Sequence, residues 1–185
     1  MGQYYRPILT NANGYERVYN RDVDGEYTMA KLMEHSWWYN EFVGTICNKL
    51  LGNQMKVVWV GDYSDDADTT NDIENEELTR LCKKAWKNKG NGVKKNVLLL
   101  DGLYLVNHTK HCYIDCNEYK KECDNNGWCI HPLPLLTAIG NGLGGGDYRE
   151  DDAWQVGQWA NDIISVENAV PDGYEKDTYR FREEW

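Results

Sequence analysis

The chain has 185 residues, with 30 acidic against 20 basic side chains and a formal net charge of −10. That length suits one well-cored domain, here residues 1–185 with no linker dividing them. With 41% apolar residues, 8 Trp and 13 Tyr, the composition excludes a disordered chain, and the acid excess argues against a surface for DNA, RNA or anionic membranes.

Met1 to Pro7 carry neither the basic nor the apolar region of a signal peptide, and no apolar run nears the length of a membrane span. The expected location is the cytoplasm. The 6 Cys are then expected as reduced thiols or metal ligands rather than disulfides.

Residues 3–9 and 15–20 read as a hairpin around Asn11 to Gly14, with Tyr5, Ile8, Val18 and Tyr19 inward. Asp24-Gly25 marks the next turn. Met29, Leu32, Met33, Trp37, Val43, Ile46 and Leu50 recur at helical spacing and predict a helix from Thr28 to Leu51, stopped by Gly52. Met55 to Val60 is β-branched and aromatic, the pattern of a buried strand.

A second helix is predicted over 75–88. Leu78, Leu81, Cys82, Ala85 and Trp86 form its apolar stripe, and its acids precede its bases as the helix dipole prefers. Asn96 to Asn107 predicts a hairpin turning at Asp101-Gly102. Residues 108–131 read as irregular. Pro132 and Pro134 open a short helix to Ile139. Ile163 to Glu167 and Thr178 to Phe181 are expected to pair around Pro171-Asp172-Gly173. The expected fold is α+β: a mostly antiparallel sheet carrying two main helices.

Gly140 to Gly146 places five glycines in seven residues and contains G-x-G-x-x-G. A dinucleotide loop needs a strand before it, an amphipathic helix after it, and a second strand with an acid beyond. Here prolines precede, and Asp147, Glu150, Asp151 and Asp152 follow, where they would repel phosphate. The run reads instead as a tight connection in which glycine permits positive φ or close backbone approach.

His108, His111, Cys112, Cys116, Cys123, Cys129 and His131 are the residue types that zinc prefers. Their spacing matches no known zinc motif. Cys112, Cys116, Cys123, Cys129, His108 and His131 are the candidate ligands of a structural zinc; no other cofactor is expected. Asp62, Asp147 and Asp162, with Tyr148 and the glycine loop, form a candidate pocket for a metal or nucleotide-like ligand. Hydrolase, zincin and kinase motifs are absent, so no catalytic residue is assigned.

Residues 61–77 hold eight carboxylates and no base. Such a segment attracts a basic protein surface. Asp62, Asp65, Asp66, Asp68 and Glu74 are the candidate contacts, with Trp37, Trp38 and Tyr63 as candidate aromatic anchors.

Met1-Gly-Gln-Tyr-Tyr5, Ala30 to Trp37, Val57 to Tyr63, Asn141 to Tyr148 and Trp159-x-x-Asp162 together resemble an uncharacterised family of small proteins. Its members occur in phages, prophages and gut Firmicutes. The resemblance implies a phage-accessory setting inside a bacterial host cell. Small acidic phage proteins commonly act by binding host defence proteins, anti-CRISPR proteins among them. The expectation is therefore a non-enzymatic inhibitor of a defence protein such as a CRISPR effector nuclease. A small-ligand protein or enzyme built on the Asp62, Asp147 and Asp162 pocket is the alternative.

Overall fold

A computed structural model describes residues 3–23, 26–28, 30–64, 75–87, 89–123, 129–140, 148 and 150–181. The fold is α+β in one compact domain. Its strands are β1 (Tyr5–Thr10), β2 (Glu16–Val23), β3 (Glu26–Thr28), β4 (Met55–Gly61), β5 (Asn91–Val93), β6 (Tyr104–Asn107), β7 (Cys112–Asp115), β8 (Ala138–Ile139), β9 (Ile163–Glu167) and β10 (Glu175–Lys176). The helices are α1 (Glu41–Leu50), α2 (Glu76–Lys87), α3 (Cys116–Cys123) and α4 (Pro132–Leu136), with a 3-10 helix at Glu150–Gln155.

One sheet runs β10-β7-β6-β9-β4-β1-β2-β3, with β5 beside β2 and β8 beside β4. It is mostly antiparallel, as expected, but not purely so. The long neighbours pair antiparallel, while β5, β8 and β10 join parallel. These three are two or three residues long and reach the sheet as ends of connections.

The strand β4 is apolar on both faces because both are covered. Val57 and Trp59 join the main core with α1 and α4. Val58 and Val60 join Ile8, Val18 and the α2 residues Leu81, Cys82 and Ala85 in a second, smaller core. The stripe predicted for α2 is the one it buries, with Leu78 and Trp86 at its margin.

Glu16 fastens α2 to the sheet. It accepts from Arg80 and from Lys84, the latter at 2.5 Å. The Arg80 hydrogen bond, with Lys84 assisting against burial, draws the Glu16 carboxyl down to about 2.

The first predicted helix is shorter than its pattern. Residues 26–28 are strand and 31–40 are turns; α1 starts only at Glu41. Backbone groups upstream are engaged elsewhere: Trp38 N–H donates to Cys129 O, His131 N–H donates to Ser36 O, and Trp37 bridges Ile130. Asn40 then caps the helix, its Oδ1 accepting from Phe42 and Val43 N–H.

The predicted 96–107 hairpin is replaced as well. Its turn exists, with Gly102 at φ 77°. Residues 96–98, however, lie along α1, where Leu98 N–H donates to Gly44 O and Asn96 N–H to Thr45 Oγ1. The strand after the turn, β6, pairs with β7 and β9. Residues 108–131 are not irregular throughout; they contain β7 and α3. The predicted closing hairpin is likewise absent: β9 pairs with β4 and β6. The Asp24-Gly25 turn lies outside the described residues.

The glycine run enters the structure at Gly140. A Cβ there would collide with the Tyr5 hydroxyl and the Gln3 amide. Gln3 is fully buried and accepts from Tyr5 Oη at 2.7 Å. Gly61 approaches the same Gln3 side chain from β4. Close backbone approach is thus the role of the first glycine; residues 141–147 lie outside the described residues.

Gly140→Ala should cost about 1–3 kcal/mol of stability by overpacking. Part of that loss should return in Gly140→Ala/Tyr5→Phe, where the obstructing hydroxyl is gone. Urea denaturation of the wild type and both variants checks this.

Candidate partner-binding surface

The sequence-derived site residues occupy several separate places. Asp62 follows the end of β4 and holds the N-terminal segment: its Oδ1 accepts from Tyr4 N–H at 3.1 Å, and its N–H donates to Tyr4 O. Asp162 sits near the other end, where its carbonyl accepts from Val57 N–H. Five residues of strand, roughly 16 Å, separate the two positions. The Asp162 side chain faces away from that line and takes Asn107 Nδ2 at 2.8 Å, with Lys110 Nζ at 3.7 Å. Asp62 and Asp162 therefore do not share a pocket. Asp147 lies outside the described residues, and Tyr148 packs half-buried against the main core.

The zinc candidates are also dispersed. Cys123 and Cys129 are joined as a disulfide, their Cα atoms 5.0 Å apart, so these two are neither reduced thiols nor ligands. The end of α3 delivers Cys123 to the strand-like segment that carries Cys129. Cys116 is buried in the first turn of α3, and burial pushes its thiol up to about 12. Cys112 is half-buried; desolvation first, then the Asp177 carboxylate, raises it to about 12.

His131 is fully buried and serves as cap of α4, its Nδ1 accepting from Leu133 N–H at 3.1 Å. The ring proton is then on Nε2, which faces Cys47 Sγ at 3.4 Å. Burial alone pulls the imidazole down to about 3. Among the described residues no group of three or more His, Cys, Asp or Glu is arranged to hold a metal ion.

His108 heads a polar chain across β6, β9 and the approach to β10. Ser165 Oγ donates to Glu167 Oε1 at 2.6 Å. Its single proton is thereby used, so it accepts from His108 Nε2 at 2.7 Å. Nδ1 of His108 is left to accept from the Tyr174 hydroxyl at 3.1 Å. A serine nucleophile would need the reverse polarity, its proton directed at the imidazole. Ser165 is also fully buried. The chain ties strands together.

The predicted anchors divide. Trp38 is 5% exposed and stacks on His131 and Tyr119 with centroids 5.2 and 5.8 Å away, so it is a core residue and not a contact. Trp37 and Tyr63 are half-buried. Asp65, Asp66, Asp68 and Glu74 lie outside the described residues.

The aromatic that most fits an anchor is Trp154. It is 66% exposed on the 3-10 helix, with exposed Glu150 and Asp151 one turn before it. Tyr179 supports it from below, the ring centroids 5.9 Å apart. Asp152 and Gln155 point inward from the same helix, where Gln155 donates to Asp152 Oδ1 and to Arg180 O and accepts from Arg180 N–H. Both sides of the Gln155 amide are thus used, and they hold the helix in place with its outer face presented.

Sequence reasoning passed over Trp154. The signal available was a lone Trp among acids with no apolar periodicity around it, the pattern of an aromatic that the core does not claim.

Comparison of the chain with family models, with curated proteins and with solved structures found no match.

Two outcomes test this geometry. Alkylation of the native, unreduced protein should label Cys112 before any other cysteine, because Cys47, Cys82 and Cys116 are buried and Cys123 is bonded to Cys129. Mass spectrometry after a reducing step should then show two further thiols, from the opened disulfide. Acid should also destabilise the fold through His131. Its folded pKa lies below the ordinary value of about 6.5, so the stabilisation is complete above that pH and is lost as pH falls toward 3. Unfolding free energy should drop by up to about 1.4 kcal/mol per pH unit in that window. His131→Asn, which keeps a capping acceptor but does not titrate, should flatten the slope in urea titrations across the pH series.

Proposed function

We propose that the chain is a non-enzymatic binding protein of phage or mobile-element type, acting in a bacterial host cell on a defence protein with a basic surface. A CRISPR effector nuclease is the partner class that the implied phage setting and the acidic charge favour. The observation that carries the reading is Trp154, the most exposed of the large apolar side chains among the described residues, held on a braced turn beside Glu150 and Asp151.

Interfaces draw most of their energy from a few aromatic or Arg anchors, while surrounding charge sets approach rate and partner choice. The net charge of −10 and the eight carboxylates of residues 61–77 supply the second property. Of the bases nearby, Arg80 and Lys84 of α2 are committed to Glu16, and Lys56 of β4 pairs with Glu77 at 3.1 Å, while Lys83 and Lys87 of α2 are exposed. Among the described residues no helix is long and apolar enough to cross a membrane.

The test is phage plating on hosts that carry a CRISPR effector, with and without the chain expressed. Expression should restore plating by orders of magnitude against at least one effector type. Trp154→Ala should reduce that rescue at least tenfold, the cost of about 1.4 kcal/mol or more for a lost anchor. Glu150→Gln/Asp151→Asn should slow association with the purified effector and weaken its salt dependence. The melting temperature of each variant should stay near that of the wild type, since the altered side chains are exposed. Absence of rescue across effector types would sink the defence-protein reading.

A further inference from the structure

The described surface carries a second feature that a partner-binding role does not use. We propose that the cleft at the start of α1 is a binding site for a small planar aromatic anion of the nucleoside-monophosphate class. The cleft measures about 300 Å³, at the lower end of the range for small-molecule sites. Trp37, Tyr39 and Phe42 supply aromatic surface, and Arg21 and Lys95 supply positive charge.

Fixed elements build it. Parallel pairing of β2 with β5 sets Arg21 beside Val93, so both side chains stand on the face that α1 overhangs. The Trp37 backbone is pinned by its bridge to Ile130, and Asn40 N–H donates to Trp37 O before capping α1. Phe42 is locked edge-on against Trp59, with centroids 5.8 Å apart. A flat ring entering here meets aromatic walls whose positions are already set, which lowers the ordering cost of binding.

The charge pattern names the ligand's sign. In a chain with net charge −10, this cleft gathers two cations, Arg21 and Lys95, against one carboxylate, Glu41. Beyond its strand pairing, no side-chain hydrogen bond or ion pair ties the Arg21 guanidinium to another described residue. Lys95 pairs with Glu41, yet their side chains are 64% and 60% exposed, so water screens that pair and a phosphate can compete for the ammonium. Thr28 stands opposite Arg21 in the β2–β3 register, and its hydroxyl is shielded from solvent without a hydrogen-bond partner. A guanidinium offers a planar fork to phosphate oxygens.

The same net charge limits the ligand's size. It opposes a polyanion along the surface but tolerates the two charges of one phosphate. A mononucleotide is therefore favoured over a nucleic-acid strand. This site is distinct from the Trp154 surface, and its failure would leave the partner proposal standing.

The experiment titrates 15N-labelled protein in separate arms with AMP, GMP, CMP, UMP, adenosine, inorganic phosphate and a short single-stranded DNA. The probe is the Trp37 indole N–H resonance, assigned by its absence from Trp37→Phe. At least one mononucleotide should shift that resonance to saturation and bind more tightly than adenosine or phosphate alone. Arg21→Gln should weaken that binding about tenfold or more, as loss of a charge-assisted contact does, with the melting temperature unchanged. If Arg21→Gln does not fold, Lys95→Gln, at an exposed position, takes its place with the same expected direction. No saturable shift at millimolar mononucleotide, equal affinity in the charge variant, or tighter binding of the DNA strand would each overturn the proposal.

Discussion

Strand β4 is the constraint on which the rest of the fold depends. A strand buried on both faces cannot leave any N–H or C=O to water, so both edges must be served along its length. One edge is simple: β1 pairs with it from Lys56 to Gly61. The other is assembled from pieces. At its start it meets β9; then Asn161 and Asp162 exchange backbone hydrogen bonds with Val57; then Thr137 O accepts from Trp59 N–H as β8 takes over. Asn161 turns the chain between two of these pieces and adopts φ 64°, a conformation that Asn tolerates better than most residues. The short parallel strand β8, the buried Trp59 and the glycine contact at Gln3 follow from completing this one strand.

Much of this was legible from the residues, and the failures share a cause. Periodicity located β4 and α2 because each presents a full apolar pattern to a core. It overextended the first helix because Met33 and Trp37 match helical spacing while the backbone of residues 36–38 is claimed by residues 129–131. It paired residues 96–100 with β6 because a good turn lay between them. A turn fixes direction, not partner, and α1 outcompeted β6 for that segment. Short parallel strands carry too few residues to leave a pattern. Charge and composition were visible at once; exposure was not. Trp38 and Trp154 look alike as letters, and only burial separates the core residue from the presented one.

The buried polar groups show how much of the interior is devoted to holding connections. Asn40, His131, Ser165 and Asn107 are all nearly or fully buried, and each satisfies the end of a helix, a turn or a neighbouring strand. The titration behaviour agrees. Thiols are raised and His131 is kept neutral by burial, which suits scaffold roles and leaves the surface, with its aromatics and carboxylates, as the place where chemistry meets other molecules.

The pieced edge of β4 also has a bearing on synthesis. A ribosome delivers β1 and β4 early, and they can pair at once. The segments that cover the other edge lie beyond residue 136, so an apolar strand with unpaired backbone groups waits while some eighty residues emerge. Open strand edges of this kind invite pairing with other chains. The domain should therefore be most prone to aggregation as a nascent chain, and slowing translation ahead of residue 137 should lower its soluble yield more than slowing it after residue 167.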